Sequence, residues 1–294
     1  MLSIIESQLR AVLEDLSNEQ TLEFTAEDKA KAVEQFAAAL DKQTTPREKE
    51  PRIRMSNIGR LPCQLQQEIQ LKSPRERMPY NHWIRMVVGD CVEILVRMVL
   101  EKTDVNVTSD GDNVELNVDK TNVKGTSDID IDGAVYDIKS CSQYAFRNKW
   151  SGGFQALYKA DDFGYVGQLY GYADAQGKKA GGWIVVDKSS GEIKIVEVDA
   201  SSEQEAFIRQ HREHVVDIVS NNKPFQRCFE PEEETFFRKP TGGKILNKSC
   251  SWCSFKQSCW PEAQFLPSRH SKAEKKPYKW YTEYPDDPNT ISQS

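Results

Sequence analysis

The sequence predicts an α/β protein with a helical extension at its start and a cysteine-cluster metal site near its end. Long stretches of helical period at 80–102 and 203–222 bracket short strand-like segments at 113–119, 127–133 and 134–140. Apolar residues of 1–42 recur at three- and four-residue steps. Three of the seven cysteines, Cys250, Cys253 and Cys259, fall within ten residues of one another.

The first helix is marked by Ile4, Ile5, Leu9, Val12, Leu13 and Leu16, and a second starts after Thr25, a suitable N-cap. Residues 1–43 are therefore read as an accessory element, and TTPREKEPR (44–52), charged and with two prolines, as a linker. A domain over 52–262 follows. Within it, Asp132-Gly133 is a hairpin turn signal, 164–176 reads as a helix, and 181–199 as two strands around Ser-Ser-Gly. The tail, 263–294, is rich in Pro, Lys and aromatics and is expected to be irregular.

The 294 residues are 38% hydrophobic and 29% charged, with a formal net charge of −6. Their apolar runs are too short for a bilayer. Glu6 and the absence of a basic start argue against a secretory signal. An odd cysteine count in such a chain points to the reducing cytoplasm. The acidic balance does not exclude a nucleic-acid partner, because the local distribution of charge decides binding.

The chemistry is concentrated in GTSDIDIDGAVYDIKS (125–140). Phosphodiester hydrolysis needs a hard divalent cation held by carboxylates, an activated water, and compensation for charge in the transition state. A hairpin with Asp128 on one strand and Asp137 and Lys139 on the next supplies these groups. Residues 137 and 139 are two apart and share a strand face. Asp137 would bind metal and Lys139 would position the water or stabilise charge. Asp130 shares the face of Asp128 and is a candidate secondary ligand; Asp132 is a further acid of the hairpin. The alternative is a solvated acidic hairpin, since Asp-x-Lys alone is a weak signal.

The spacing Asp128-x8-Asp137-x-Lys139 resembles the PD-(D/E)xK nuclease superfamily, in its RecB-like branch. Gly125-Thr-Ser-Asp128 matches its G-x-x-D pattern, and Asp137-Ile-Lys139-Ser140 its acid-x-K-[ST] pattern. Gln168-Leu-Tyr-Gly-Tyr172 matches the Q-x-x-x-Y motif of the following helix, where residues four apart share a face. Gly89-Asp-Cys-Val-Glu93 matches a G-x-x-x-E pattern whose last residue joins the metal site. Asp at 137 and Glu at 93 depart from the commonest pattern, though both keep a ligand.

The resemblance implies a restriction-endonuclease-like mixed sheet flanked by helices. It implies Mg2+ or Mn2+ held by Glu93, Asp128, Asp137 and Ile138, with catalysis also involving Lys139, Gln168 and Tyr172. The activity it implies is a DNA exonuclease in recombination, repair or phage-type processing. Alternatives are a non-catalytic DNA-binding or assembly protein and a spacer-trimming CRISPR adaptation nuclease.

Cys250-x2-Cys253-x5-Cys259 has the spacing of a metal-binding thiolate set. Some RecB-like nucleases hold a [4Fe-4S] cluster with one cysteine ahead of the core and three after it. The resemblance places Cys63 in that early position, and Cys228 competes as the fourth ligand; Zn2+ suits the same donors. Between Lys139 and Gln168, Arg147, Lys149 and Lys159 interleave with Tyr144, Phe146, Trp150, Phe154 and Tyr158. That mixture suits single-stranded or frayed DNA, or else internal packing of the aromatics. Arg52, Arg54, Arg60, Arg75 and Arg77 are candidates for the opposite wall. The N-terminal helices are a candidate protein-binding element. His211 and His214 read as a solvated helix face.

Overall fold

The computed structural model describes residues 3–18, 21–45 and 50–285. In chain order its helices are α1 (Ile4–Asn18), α2 (Ala26–Thr44), α3 (Pro62–Leu65), α4 (His82–Leu100), α5 (Gln143–Ala145), α6 (Gly153–Lys159), α7 (Tyr165–Gln176), α8 (Ser202–Ser220), α9 (Lys248–Trp252) and α10 (Lys256–Cys259). The strands are β1 (Val107–Asp110), β2 (Asn113–Val118), β3 (Thr121–Thr126), β4 (Ile129–Ile131), β5 (Ala134–Cys141), β6 (Lys179–Asp187), β7 (Ile193–Glu197), β8 (Glu232–Phe236), β9 (Lys239–Ile245), β10 (Gln264–Pro267) and β11 (Tyr278–Glu283). None of the described helices is long and apolar enough to cross a membrane.

The chain forms two compact units: residues 1–60 with 78–217, and residues 61–77 with 218–294. This division cuts through the stretch expected as one domain over 52–262.

The first unit is a mixed five-stranded sheet, ordered β1-β4-β5-β6-β7, flanked by helices. Only β5 and β6 run parallel; the other pairs are antiparallel. Alternation along β5 sends Tyr136 and Ile138 into an apolar cluster with Val96, Val99 and Leu100 of α4 and Ile5, Leu9 and Val12 of α1. The N-terminal helix expected as an accessory thus contributes to this core. Glu6, buried at 4% exposure, accepts the Ile195 N–H at 2.9 Å. Arg10 pairs with Glu6 and donates to the Ile193 carbonyl at 3.1 Å. α1 therefore covers the edge strand β7 and satisfies groups that would otherwise invite another strand.

Helix α2 begins with the expected Thr25 cap: Thr25 Oγ1 accepts from Asp28 N at 3.1 Å, and Asp28 Oδ2 accepts from Thr25 N at 2.7 Å. It buries no residue of its own. Polar contacts tie it to α4, including Lys102 to Asp28 at 2.6 Å and Gln43 to Asp90 at 2.8 Å. Of the expected linker, residues 46–49 lie outside the described residues.

The second unit is a four-stranded antiparallel sheet, ordered β10-β11-β9-β8. Two of its strands come from the tail expected to be irregular. Charge and proline obscured the alternation of Tyr278, Trp280 and Thr282 with Lys279, Tyr281 and Glu283. Phe265 meets Tyr278 and Trp280 across strands, with ring centroids at 5.2 and 5.3 Å. Inside this unit Glu234, 1% exposed, accepts from Tyr281, Lys279, Ser268 and Thr241 at 2.6–3.1 Å. Four donors on one carboxylate meet the cost of burying it.

Candidate active site and cysteine pocket

The β4–β5 hairpin sets the site. Asp132 and Gly133 both have positive φ, 51° and 78°, as a type I′ turn requires, and the register pairs Ile129 with Tyr136. Asp128 stands just before β4, and its Oδ2 accepts the Ile138 N–H at 2.8 Å. Opposite faces of β5 then do different work. Ile138 sends its side chain into the α1–α4 core, so only its main chain can take part in the expected metal site. Asp137 points the other way, towards α7, and is 1% exposed.

Helix α7 brings the matched glutamine and tyrosine to that carboxylate. Gln168 Nε2 lies 3.4 Å from Asp137 Oδ1 and 3.3 Å from Tyr172 Oη. Lys139 Nζ meets Asp137 Oδ2 at 2.6 Å as an ion pair and stands 5.4 Å from the centroid of the Tyr165 ring. Tyr165 stacks in turn on Trp150 at 5.5 Å.

From α4, Glu93 feels the charges of Asp128, Arg97, Lys42 and Lys139. Burial first, and then Asp128, push its carboxyl up to about 7. Burial likewise pushes the Asp137 carboxyl well above the usual range, with the Asp128 charge adding and Lys139 opposing. Burial alone would lower Lys139, but Asp137 and Asp128 outweigh it and hold the ammonium above its ordinary range. Burial raises the Tyr172 hydroxyl, so this group keeps its proton.

Glu93, Asp128, Asp137, Lys139, Gln168 and Tyr172 are thus brought together. In donor chemistry the acids fit a hard divalent cation. Their spacing is not closed: among the described residues, no three His, Cys, Asp or Glu side chains stand at metal-holding separation. Lys139 takes Asp137 and Arg97 takes Glu93 instead.

Two expected roles are corrected. Asp130 is fully buried and engaged by Lys178 and by Gln176 at 3.5 Å, away from Asp128 as a ligand partner. Trp150 and Phe154, candidates for base stacking, are 1% and 3% exposed and pack on Trp183, Trp150 tilted at 6.0 Å and Phe154 stacked at 6.4 Å. Lys149 lies 4.6 and 4.3 Å from the ring centroids of Phe163 and Tyr165. Internal packing accounts for Trp150 and Phe154, while Tyr144, at 76%, and Arg147 and Lys159 are exposed. Arg75 sits with Glu68 and Phe255 in the second unit.

The sequence reading passed over Arg97 and Tyr165. The four-residue step from Glu93 to Arg97 was an available signal; Tyr165 carried none, because its role depends on where the Lys139 side chain ends.

In the second unit Cys63, Cys228, Cys250, Cys253 and Cys259 line one small cavity with Arg227 and Trp260. The two candidates for the fourth ligand are joined to each other as a Cys63–Cys228 disulfide with a Cα separation of 5.9 Å. Cys250, Cys253 and Cys259 are free, and burial raises each thiol, Cys250 to about 11. As bonded here, neither Cys63 nor Cys228 offers a thiolate.

No family model matches the chain, and no curated protein is significantly similar to it. A solved structure described as the crystal structure of SSO0001 is similar at 15% identity and a TM-score of 0.41, over 76% of this chain and 93% of that one.

Proposed function

We propose that the chain is a metal-dependent deoxyribonuclease of the PD-(D/E)xK class, RecB-like in its motifs and restriction-endonuclease-like in its nuclease fold. What supports the reading most is that four motifs matched separately, on α4, on the two strands of the hairpin and on α7, bring Glu93, Lys139, Gln168 and Tyr172 around the carboxylate pair Asp128 and Asp137. Chance matches to short motifs have no reason to meet in space.

Glu93, Asp128, Asp137 and the main chain of Ile138 would hold Mg2+ or Mn2+. When bound, such an ion polarises the phosphate and lowers the pKa of its water. The protein's own groups do the rest. The Ile138 N–H fixes one oxygen of Asp128, and Gln168 fixes one of Asp137. Lys139 places a full positive charge where negative charge develops on the phosphate. The protonated Tyr172 hydroxyl offers a donor beside it. An exonuclease serving DNA recombination, repair or phage-type processing is the biological setting this chemistry suits.

The cysteine pocket carries the second proposed group, a [4Fe-4S] cluster with Zn2+ as the alternative. Its thiol donors are right in type, but three free thiols and a disulfide do not make a four-thiolate site. The donors fit only when the Cys63–Cys228 bond is reduced.

The test uses end-labelled single- and double-stranded DNA with Mn2+, comparing the wild type with Asp128→Ala and Lys139→Ala. Cleavage by the wild type and its loss in both variants, with unchanged circular dichroism, is the expected result. A second reading, a DNA-binding protein that uses the acids structurally, draws on the open spacing of the acid groups. It requires DNA binding without cleavage in all three proteins.

A further inference from the structure

The first unit contains a cleft of about 890 Å3 beside the acid cluster, lined by Lys42, Arg52, Arg54, Lys124 and Tyr172, with Glu50 as the one acid among the described lining residues. Four cations face that carboxylate, and even with Lys124 paired to Glu115 at 2.5 Å the cleft is locally basic in a chain of net charge −6. The cleft leads to the site: Tyr172 belongs to both, and the Lys42 charge acts on Glu93.

The walls are built by alternation. Along 52–56, Ile53 and Met55 are buried while Arg52, Arg54 and Ser56 line the cleft. Met55 N donates to Lys124 O at 3.0 Å, tying this segment to β3, where Val123 is buried and Lys124 and Thr126 face the cleft. Lys42 comes from the last turn of α2, which α4 holds through Gln43–Asp90 and through Trp83 Nε1 on the Gln43 carbonyl at 3.3 Å.

Resting on the nuclease reading, we propose that this cleft is the entry path for one DNA strand, with Lys42, Arg52, Arg54 and Lys124 taking successive phosphates. The α2 helix is then a wall of the substrate channel as well as an appendage. A single strand is the occupant we commit to, because its flexible backbone can bring successive phosphates to cations on both walls of one cleft.

The experiment is fluorescence anisotropy with labelled oligodeoxythymidine in EDTA, so that binding is read without cleavage, across a salt series. The expected wild-type slope of log K on log salt is about −3, from four phosphates at about 0.7 each on single strands. Lys42→Glu/Arg52→Glu/Arg54→Glu should bind at least tenfold more weakly with a slope nearer −1. Lys239→Ala, an exposed cation of the second unit, should match the wild type.

A triple variant that keeps the full slope overturns the cleft assignment and leaves the nuclease reading intact. Duplex binding as tight as single-strand binding overturns the one-strand path, and displacement by polyglutamate as readily as by DNA overturns the nucleic-acid partner. Wild-type protein that neither binds nor cleaves DNA removes the nuclease reading itself.

Discussion

Arg97 reaches back one turn along α4 to pair with Glu93 at 2.5 Å, and the same Nη2 donates to the Asp128 carbonyl at 3.0 Å. One guanidinium thus joins the helix acid to the hairpin acid's main chain. Its side chain is 12% exposed and that of Glu93 30%, so solvent screens the pair only in part. Arg97→Ala leaves a half-buried carboxylate without this donor and the Asp128 carbonyl with only the Gly111 N–H at 3.2 Å. Unfolding in urea should show a loss of about 1–3 kcal/mol. Arg97→Lys should recover only part, because the ammonium on its shorter stem does not reach the place where Nη2 meets both acceptors. An Arg97→Ala protein as stable as the wild type would remove the coupling between helix and hairpin.

Gly125 opens the G-x-x-D match for a steric reason. A Cβ there would lie 2.4 Å from Met55 Cβ and 3.0 Å from Tyr172 Cε1. Met55 is fully buried and Tyr172 nearly so, which leaves little room to yield. Gly125→Ala should therefore cost about 1–3 kcal/mol by overpacking. It should also lower cleavage by displacing Tyr172, and Gly125→Ala/Met55→Ala should recover part of both. Failure of the second substitution to help would place the defect elsewhere.

His211 stacks on Phe207 at 6.3 Å on α8, and burial, then the nearby His214 charge, lower its pKa from 6.5. A depressed folded-state value means that the unfolded chain takes up the proton first as pH falls. The contribution is fully present above 6.5 and is lost on acidification through the folded value. Urea unfolding should show the wild type losing stability between pH 7 and 5 by more than His211→Gln does. Parallel losses in the two proteins would assign the effect to other groups. The expectation of a solvated face thus holds better for the exposed His214 than for His211.

The helices and the hairpin were legible because their signals are local: apolar period, a Thr25 cap, and Asp-Gly at the turn. The acid, lysine and glutamine positions were legible because spacing on a strand or helix fixes which side chains share a face. What could not be read depends on long-range pairing. β1 and β3 are short and polar, and they gain strand structure only through β4 and β2. The segment 61–77 joins residues more than a hundred positions away, and no local pattern marks that partner. The stretch Arg147–Tyr158 left two readings open, since an aromatic stripe serves a core as readily as a strand of DNA, and Trp150 and Phe154 go to the core.

The last prediction concerns the cysteine pocket, where the bond between Cys63 and Cys228 and the proposed cluster exclude each other for want of a fourth thiolate. Reduction by an excess dithiol breaks that bond, leaving two thiols on the protein and a disulfide on the reagent. Under nitrogen and freed of the dithiol, the reduced protein given equal amounts of ferrous and ferric iron with sulfide should become brown, with about two irons of each kind and about four sulfides per chain for a [4Fe-4S]2+ group. The oxidised protein should take up neither. Cys253→Ser should remain colourless in both states, since it removes one of the three free thiols. Cys63→Ser and Cys228→Ser then identify the fourth ligand: the variant that still assembles the cluster has lost the spectator, and the one that fails has lost a ligand. Stoichiometric zinc in the reduced wild type, with no visible absorption after iron and sulfide, would replace the cluster by a zinc site on the same sulfurs. Assembly in Cys63→Ser/Cys228→Ser would show that neither residue completes the set.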